Sequence, residues 1–382
     1  MAMNWVERIL QRGTIQAVMG AIALYLGYQI WLNARYYGTD WPCWDYMLIS
    51  GFLAFLLAIG LALDLNRRLD TAIEGLRLNN ALILTDDGVT RLKLAMTARG
   101  KRIQVVSGLA MGVLIFGCYI WVFGELTIQI WQLLRQGALP EGGSALVELA
   151  VFTAISALAA ALAGLFFGRL THFGTLASVL SSNDVQLRIV PGHFDGASGL
   201  KPIGDFYLFQ ALLLAIPILW LGAWWAWVIP SYKDVICSVT GQRQFLFAEW
   251  QGPFFVQWLV VVGYFFAGFV WPFLTLRKRI RAAKAILTSE QAPKLEREII
   301  ALQRPLAASE DGSSSSVLDD IDHRALRLWS IRSMTDWPMD ASTAAKYRSL
   351  VLGEVLMPLA AAVLSDGNRN SPVFQWLASL LR

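Results

Sequence analysis

His193 and Asp195 stand two residues apart in the stretch Pro191-Gly192-His193-Phe194-Asp195-Gly196-Ala197-Ser198-Gly199-Leu200-Lys201-Pro202-Ile203-Gly204. An imidazole and a carboxylate so spaced can share a hydrogen bond, contact an ion or move a proton. The glycines and prolines around them exclude a regular helix, because glycine admits left-handed backbone and proline lacks an N–H. A plainer reading competes: the glycines make a sharp turn, and His193, Asp195 and Gly199 only hold it. Two basic clusters are the other chemistry-bearing feature, Arg99, Lys101 and Arg102, then Arg277, Lys278, Arg279, Arg281 and Lys284. Such clusters suit phosphate groups, whether on a nucleotide, an oligonucleotide or a lipid headgroup.

These residues must be carried by apolar elements. The chain has 382 residues, 56% hydrophobic and only 16% charged, against roughly 25% charged in ordinary soluble domains. This excludes a soluble globular domain and a disordered chain. A helix needs roughly 20 apolar residues to cross a bilayer, and six segments qualify: 14–33, 47–63, 103–130, 145–167, 206–229 and 253–276. The expected fold class is an all-α integral membrane protein, a six-transmembrane-helix bundle. A helical hairpin (64–102), a Gly/Pro loop (168–205) and a helical domain (277–382) would lie in the cytoplasm. The first apolar run is long for a signal peptide and no small-x-small site follows it, so it reads as a retained span.

Orientation follows from the basic residues. With the N-terminus inside, only Arg35, Arg135, Lys233 and Arg243 of the 32 Lys and Arg face outward, which gives N-in, C-in in a bacterial inner membrane. Trp31, Trp41, Trp44, Trp121, Trp131, Trp224, Trp225, Trp227 and Trp250 fall near the outer ends of spans and read as an interfacial belt. Cys43 and Cys237 lie in outer loops, where a bridge between them is plausible chemistry; two unrelated thiols are the alternative.

Within the bundle, small residues at spacing four allow close helix contact. The rows are Ala54, Ala58 and Ala62; Gly108 and Gly112; Ala160, Gly164 and Gly168; Gly263 and Ala267. In the hairpin, Leu65, Leu69, Ile73 and Leu76 predict one helix. Thr85-Asp86-Asp87 predicts the start of another, ending near Gly100. Further on, a helix is expected over 293–303, then a serine linker, then a helix carrying Leu326, Trp329 and Ile331, broken at Asp336-Trp337-Pro338. Ser349–Leu364 is too short and too interrupted to be a seventh span.

The stretch from His193 to Gly204 resembles a His-Pro-Asp-x-x-Gly-Gly-Leu-x-x-Leu-Gly signature found before a span in uncharacterised bacterial multipass membrane proteins. Phe194 stands where that signature has Pro, and Ser198 where it has the first Gly of the pair. The resemblance implies a bacterial membrane family and no particular activity.

No Walker-type loop, Gly-x-Ser-x-Gly elbow, His-Glu-x-x-His helix or Cys-x-x-Cys pair is present. His172, His193 and His323 are not arranged for a metal, and Asp319, Asp320 and Asp322 read as acids near a helix start. No catalytic residue, metal or cofactor is therefore assigned. The expectation is a non-enzymatic, homo-oligomeric channel or pore gated from the cytoplasm by an anionic ligand. Multipass effectors of bacterial antiviral defence share this layout. The alternative is a sensor or scaffold acting on a cytoplasmic protein partner.

Overall fold

Long apolar runs satisfy their backbone N–H and C=O groups most simply as helices. The computed structural model describes residues 12–38, 44–83, 86–135, 144–180, 187–232, 249–308, 315–351 and 353. These are nearly all helical, with no strand beyond an isolated bridge between Leu82 and Leu187. Cys43 and Cys237 fall outside the described residues, as do most of Ser349–Leu364 and residues 309–314 of the serine linker, whose Ser315 and Ser316 begin a helix.

The helices are α1 (Arg12–Tyr37), α2 (Tyr46–Ala62), α3 (Leu65–Leu78), α4 (Asp86–Arg135), α5 (Ser144–Leu180) and α6 (Lys201–Ala223). A π turn, Trp224–Val228, leads into α7 (Ile229–Tyr232). Then come α8 (Gln251–Phe265), a second π turn (Phe266–Val270), α9 (Trp271–Ile286), a third π turn (Leu287–Gln291) and α10 (Ala292–Ala308). Helices α11 (Ser315–Arg332) and α12 (Ala341–Val351) follow. Six stretches are long and apolar enough to cross a membrane: Ile15–Tyr37, Tyr46–Leu78, Asp87–Gly124, Ala150–Leu180, Lys201–Val228 and Gln251–Arg304.

Three helices run past their expected ends. The second hairpin helix does not stop at Gly100; it continues as α4 to Arg135. Gly100 is packed against the His172 ring, so the missing side chain serves helix contact instead of a break. The fourth apolar run does not end at Phe167. Leu170, Phe173, Leu176 and Leu180 prolong its buried stripe, and Arg169 turns aside over the Phe173 ring at 5.9 Å. The sixth does not end at Leu276, and α8, α9 and α10 form one continuous rod.

Close contact between α4 and α5 dominates the packing. A Cβ at Gly108 would lie 2.9 Å from the Gly164 carbonyl oxygen, and one at Gly164 would lie 2.5 Å from that of Gly108. Only glycines allow this approach. The Gly263 row behaves differently: a Cβ there would meet nothing within 4 Å. Around this pair, α2, α6, α8, α4 and α5 each pack on the next, and α5 returns to α2. The result is a ring of five helices, with α1 laid outside against α2 and α5.

Of the tryptophans, Trp31, Trp121 and Trp227 face outward, whereas Trp224 and Trp225 are buried. Trp220 and Trp224 both donate to Ser50 Oγ, at 2.9 and 3.1 Å. The expected belt is therefore split, and part of it packs the ring instead.

Candidate functional site: a plugged axis and its latch

The ring is hollow at one end and filled at the other. The hollow half encloses a cavity of about 270 Å³ lined by α2, α4, α5, α6 and α8. Its walls are almost wholly apolar, among them Phe52, Phe55, Met111, Phe166 and Val261. Asp45 and Trp250 line one end of it, one ahead of α2 and one ahead of α8.

The filled half is closed by large side chains and polar staples. Tyr207, Phe265, Phe269 and Phe273 are fully buried there. Gln210 Nε2 donates to the Leu170 carbonyl at 2.6 Å, joining α6 to α5. Tyr207 Oη accepts from the Ala177 N–H at 2.9 Å. Tyr264 Oη donates to the Ser107 carbonyl at 2.6 Å, joining α8 to α4. Helix α12 lies against this plug. The Tyr347 ring is 4.8 Å from Phe269 and 5.8 Å from Phe273, and Phe273 is 5.5 Å from Tyr207.

The segment between α11 and α12 is held at two places. Asp340 accepts from Lys201 Nζ at 2.9 Å and caps α12 by accepting the Thr343 N–H at 2.8 Å. Thr343 and Lys201 hold its carboxyl far below the usual carboxylate range. Gly204 in α6 is pressed against the Pro338 carbonyl, with no room for a side chain. On α9, Asp336 takes Arg281 Nε at 3.3 Å and Lys284 Nζ at 3.1 Å. Those partners, Lys284 foremost, lower its carboxyl. Lys284 also donates to the Met334 carbonyl at 2.6 Å, and the Arg277 guanidinium covers Trp337 at 4.1 Å.

The second predicted basic cluster is thus largely engaged within the chain. Arg279 donates to the Leu180 carbonyl at 2.7 Å, satisfying the C-terminus of α5. Lys278 borders a small surface pocket with Arg277 and Arg281. The first cluster is spread along α4: Lys101 and Arg102 are exposed, and the Arg99 side chain lies outside the described residues. The first cluster thus lies on α4 and the second on α9.

The His193–Asp195 stretch is a loop whose centre is Asp195. Its Oδ1 accepts from the N–H groups of Ala197 (2.9 Å) and Gly199 (3.0 Å). Its Oδ2 accepts from the Lys201 N–H at 3.2 Å and from Asn79 Nδ2 at 3.4 Å. His193 Nδ1 lies 3.0 Å from Asp195 Oδ1. Burial would raise this carboxyl, but the donated N–H groups and His193 outweigh it and leave the carboxyl lowered. Gly192, Gly196 and Gly199 have φ of 70°, 65° and 85°, which a side chain would strain. With every lone pair occupied, Asp195 braces the entry to α6. Asn79 ties the loop to the end of α3 through the Gly199 carbonyl at 3.1 Å.

Sequence reasoning did not find Asp336, Asp340, Lys201 or Tyr347 as partners. Only the helix break at 336–338 hinted at them. No family model, curated protein or solved structure matches the chain.

Proposed function

We propose that the chain is an integral membrane protein of the bacterial inner membrane, N-terminus inside, that works as a homo-oligomeric, non-enzymatic channel or pore gated from the cytoplasm. One observation carries this reading. Tyr347 of α12 stacks on Phe269 and Phe273, the same rings that fill the axis. Moving α12 therefore removes support from the plug, and the latches at Asp336 and Asp340 decide whether it moves. An anionic ligand is the natural trigger. It would compete with Asp336 for Arg281 and Lys284. The experiment is ion flux from liposomes holding the purified chain. Tyr347→Ala should leak above wild type, and equal flux in both would count against gating through the plug.

A second reading is a membrane sensor or scaffold. It is favoured by the outer face of α11, where Leu326 and Trp329 are 63% and 66% exposed. Such apolar exposure marks protein contact surfaces. It predicts a partner lost on Trp329→Glu, with no flux in any variant.

A further inference from the structure

We propose that the hollow half of the ring holds one acyl chain of a zwitterionic bilayer phospholipid, with its headgroup at Asp45 and Trp250. The claim rests on the membrane reading alone and does not need the gate at the plug.

Shape is the first argument. The lining runs from Asp45 to Ile59 on α2 and from Phe152 to Phe167 on α5. At 1.5 Å per residue each stretch rises about 20 Å. The space between these stretches, about 270 Å³, is long in the direction of the helices. An extended hydrocarbon chain matches that length, and a folded peptide does not.

Wall chemistry is the second. Water in a cavity needs two to four polar partners. Tyr119 is bonded to Thr153 at 2.9 Å, and Gln257 is bonded to Cys118. An apolar cavity of about 150 Å³ stays dry and takes benzene, and this one is larger.

The mouth is the third. The buried Trp250 indole N–H has no partner among the described residues. Asp45 Oδ1 accepts the Leu48 N–H at 2.9 Å, and a free fatty acid carboxylate has no donor to offer its second oxygen. A zwitterionic phospholipid offers an ester oxygen to the indole N–H and an ammonium to Asp45.

The test uses the full chain purified in a steroid detergent, which carries no acyl chain. Phosphatidylethanolamine should raise Tm by several degrees and saturate at one lipid per chain. A fatty acid of equal length should not. Native mass spectrometry should find that lipid on wild type and on Gly263→Leu, whose added side chain points into open space. It should be absent from Ala58→Leu/Ala163→Leu, which fills the bore. No saturable shift, or lipid retained by the filled variant, overturns the site. An equal response to the fatty acid overturns the headgroup assignment. If the filled variant does not fold, the wild-type titration decides alone.

Discussion

Lys201 Nζ lies 2.9 Å from Asp340 Oδ2, tying the first turn of α6 to the N-cap of α12 across 139 residues of sequence. Two elements that sequence order keeps far apart thus share one carboxylate. The same carboxylate orders Thr343 and, through α12, places Tyr347 on the plug.

Asp340→Ala removes both functions at once. Losing an N-cap costs about 1 kcal/mol, so α12 should fray. Trypsin should then cut after Lys346 and Arg348 faster than in wild type, at unchanged rates elsewhere. Equal cutting at those two sites would show that Asp340 does not hold the helix.

Acid should loosen the same layer. Asp195, Asp336 and Asp340 all have lowered carboxyls relative to the ordinary 3.8. A lowered folded pKa means that the stabilisation is full above 3.8 and disappears as pH falls through the folded value. Thermal stability should therefore be flat near neutrality and fall below about pH 4. Asp195→Ala leaves the Ala197, Gly199 and Lys201 N–H groups without their acceptor, on the order of 3 kcal/mol. Asp195→Asn should retain part of that and lose its share of the acid response. A Tm for Asp195→Ala equal to wild type would refute the bracing role.

Helix contact separates two glycines that look alike in sequence. Gly164→Ala must push α4 and α5 apart, with an expected loss of about 1–3 kcal/mol for overpacking. Gly263→Ala should be neutral or slightly stabilising, since its added methyl meets nothing. Thermal unfolding of the two variants in one detergent compares them directly. Similar Tm losses would place the close contact elsewhere.

Asp336→Asn tests the basic strip. With the carboxylate gone, Arg281 and Lys284 should bind inorganic pyrophosphate more tightly than in wild type, by calorimetry at low salt. Affinity unchanged by the substitution would mean that Asp336 does not compete for an anion there.

Much of this fold was legible because its signals are local. The Leu65, Leu69, Ile73 and Leu76 stripe gave α3, and all four are buried. The glycine loop showed itself by composition, and Asp195 braces it as the plainer reading of that stretch expects. Gly108 with Gly112, and Gly164 with Gly168, could be read as close-packing rows by spacing, but not as partners of one another. Other features depend on distant chain. The bore exists because side chains of five helices fail to meet, and no single helix encodes that. Gly100 read as a stop, yet one glycine costs only about 1 kcal/mol in a helix, and packing on His172 outweighs it. The basic strip looked free because Asp336 lies 52 residues beyond Lys284.

The π turn at Phe266–Val270 gives the rod from α8 to α9 an angular consequence. A π turn holds one residue more than an α turn, and each residue advances a helix by about 100°. Val261 lines the bore before that turn, whereas Arg281 and Lys284 grip Asp336 after it. The azimuth between wall and grip is therefore set by a single residue of count. Deleting one residue within 266–270 would aim Lys284 about a quarter turn away from Asp336 while leaving the bore wall in place. In this rod, chain length is a dial of direction.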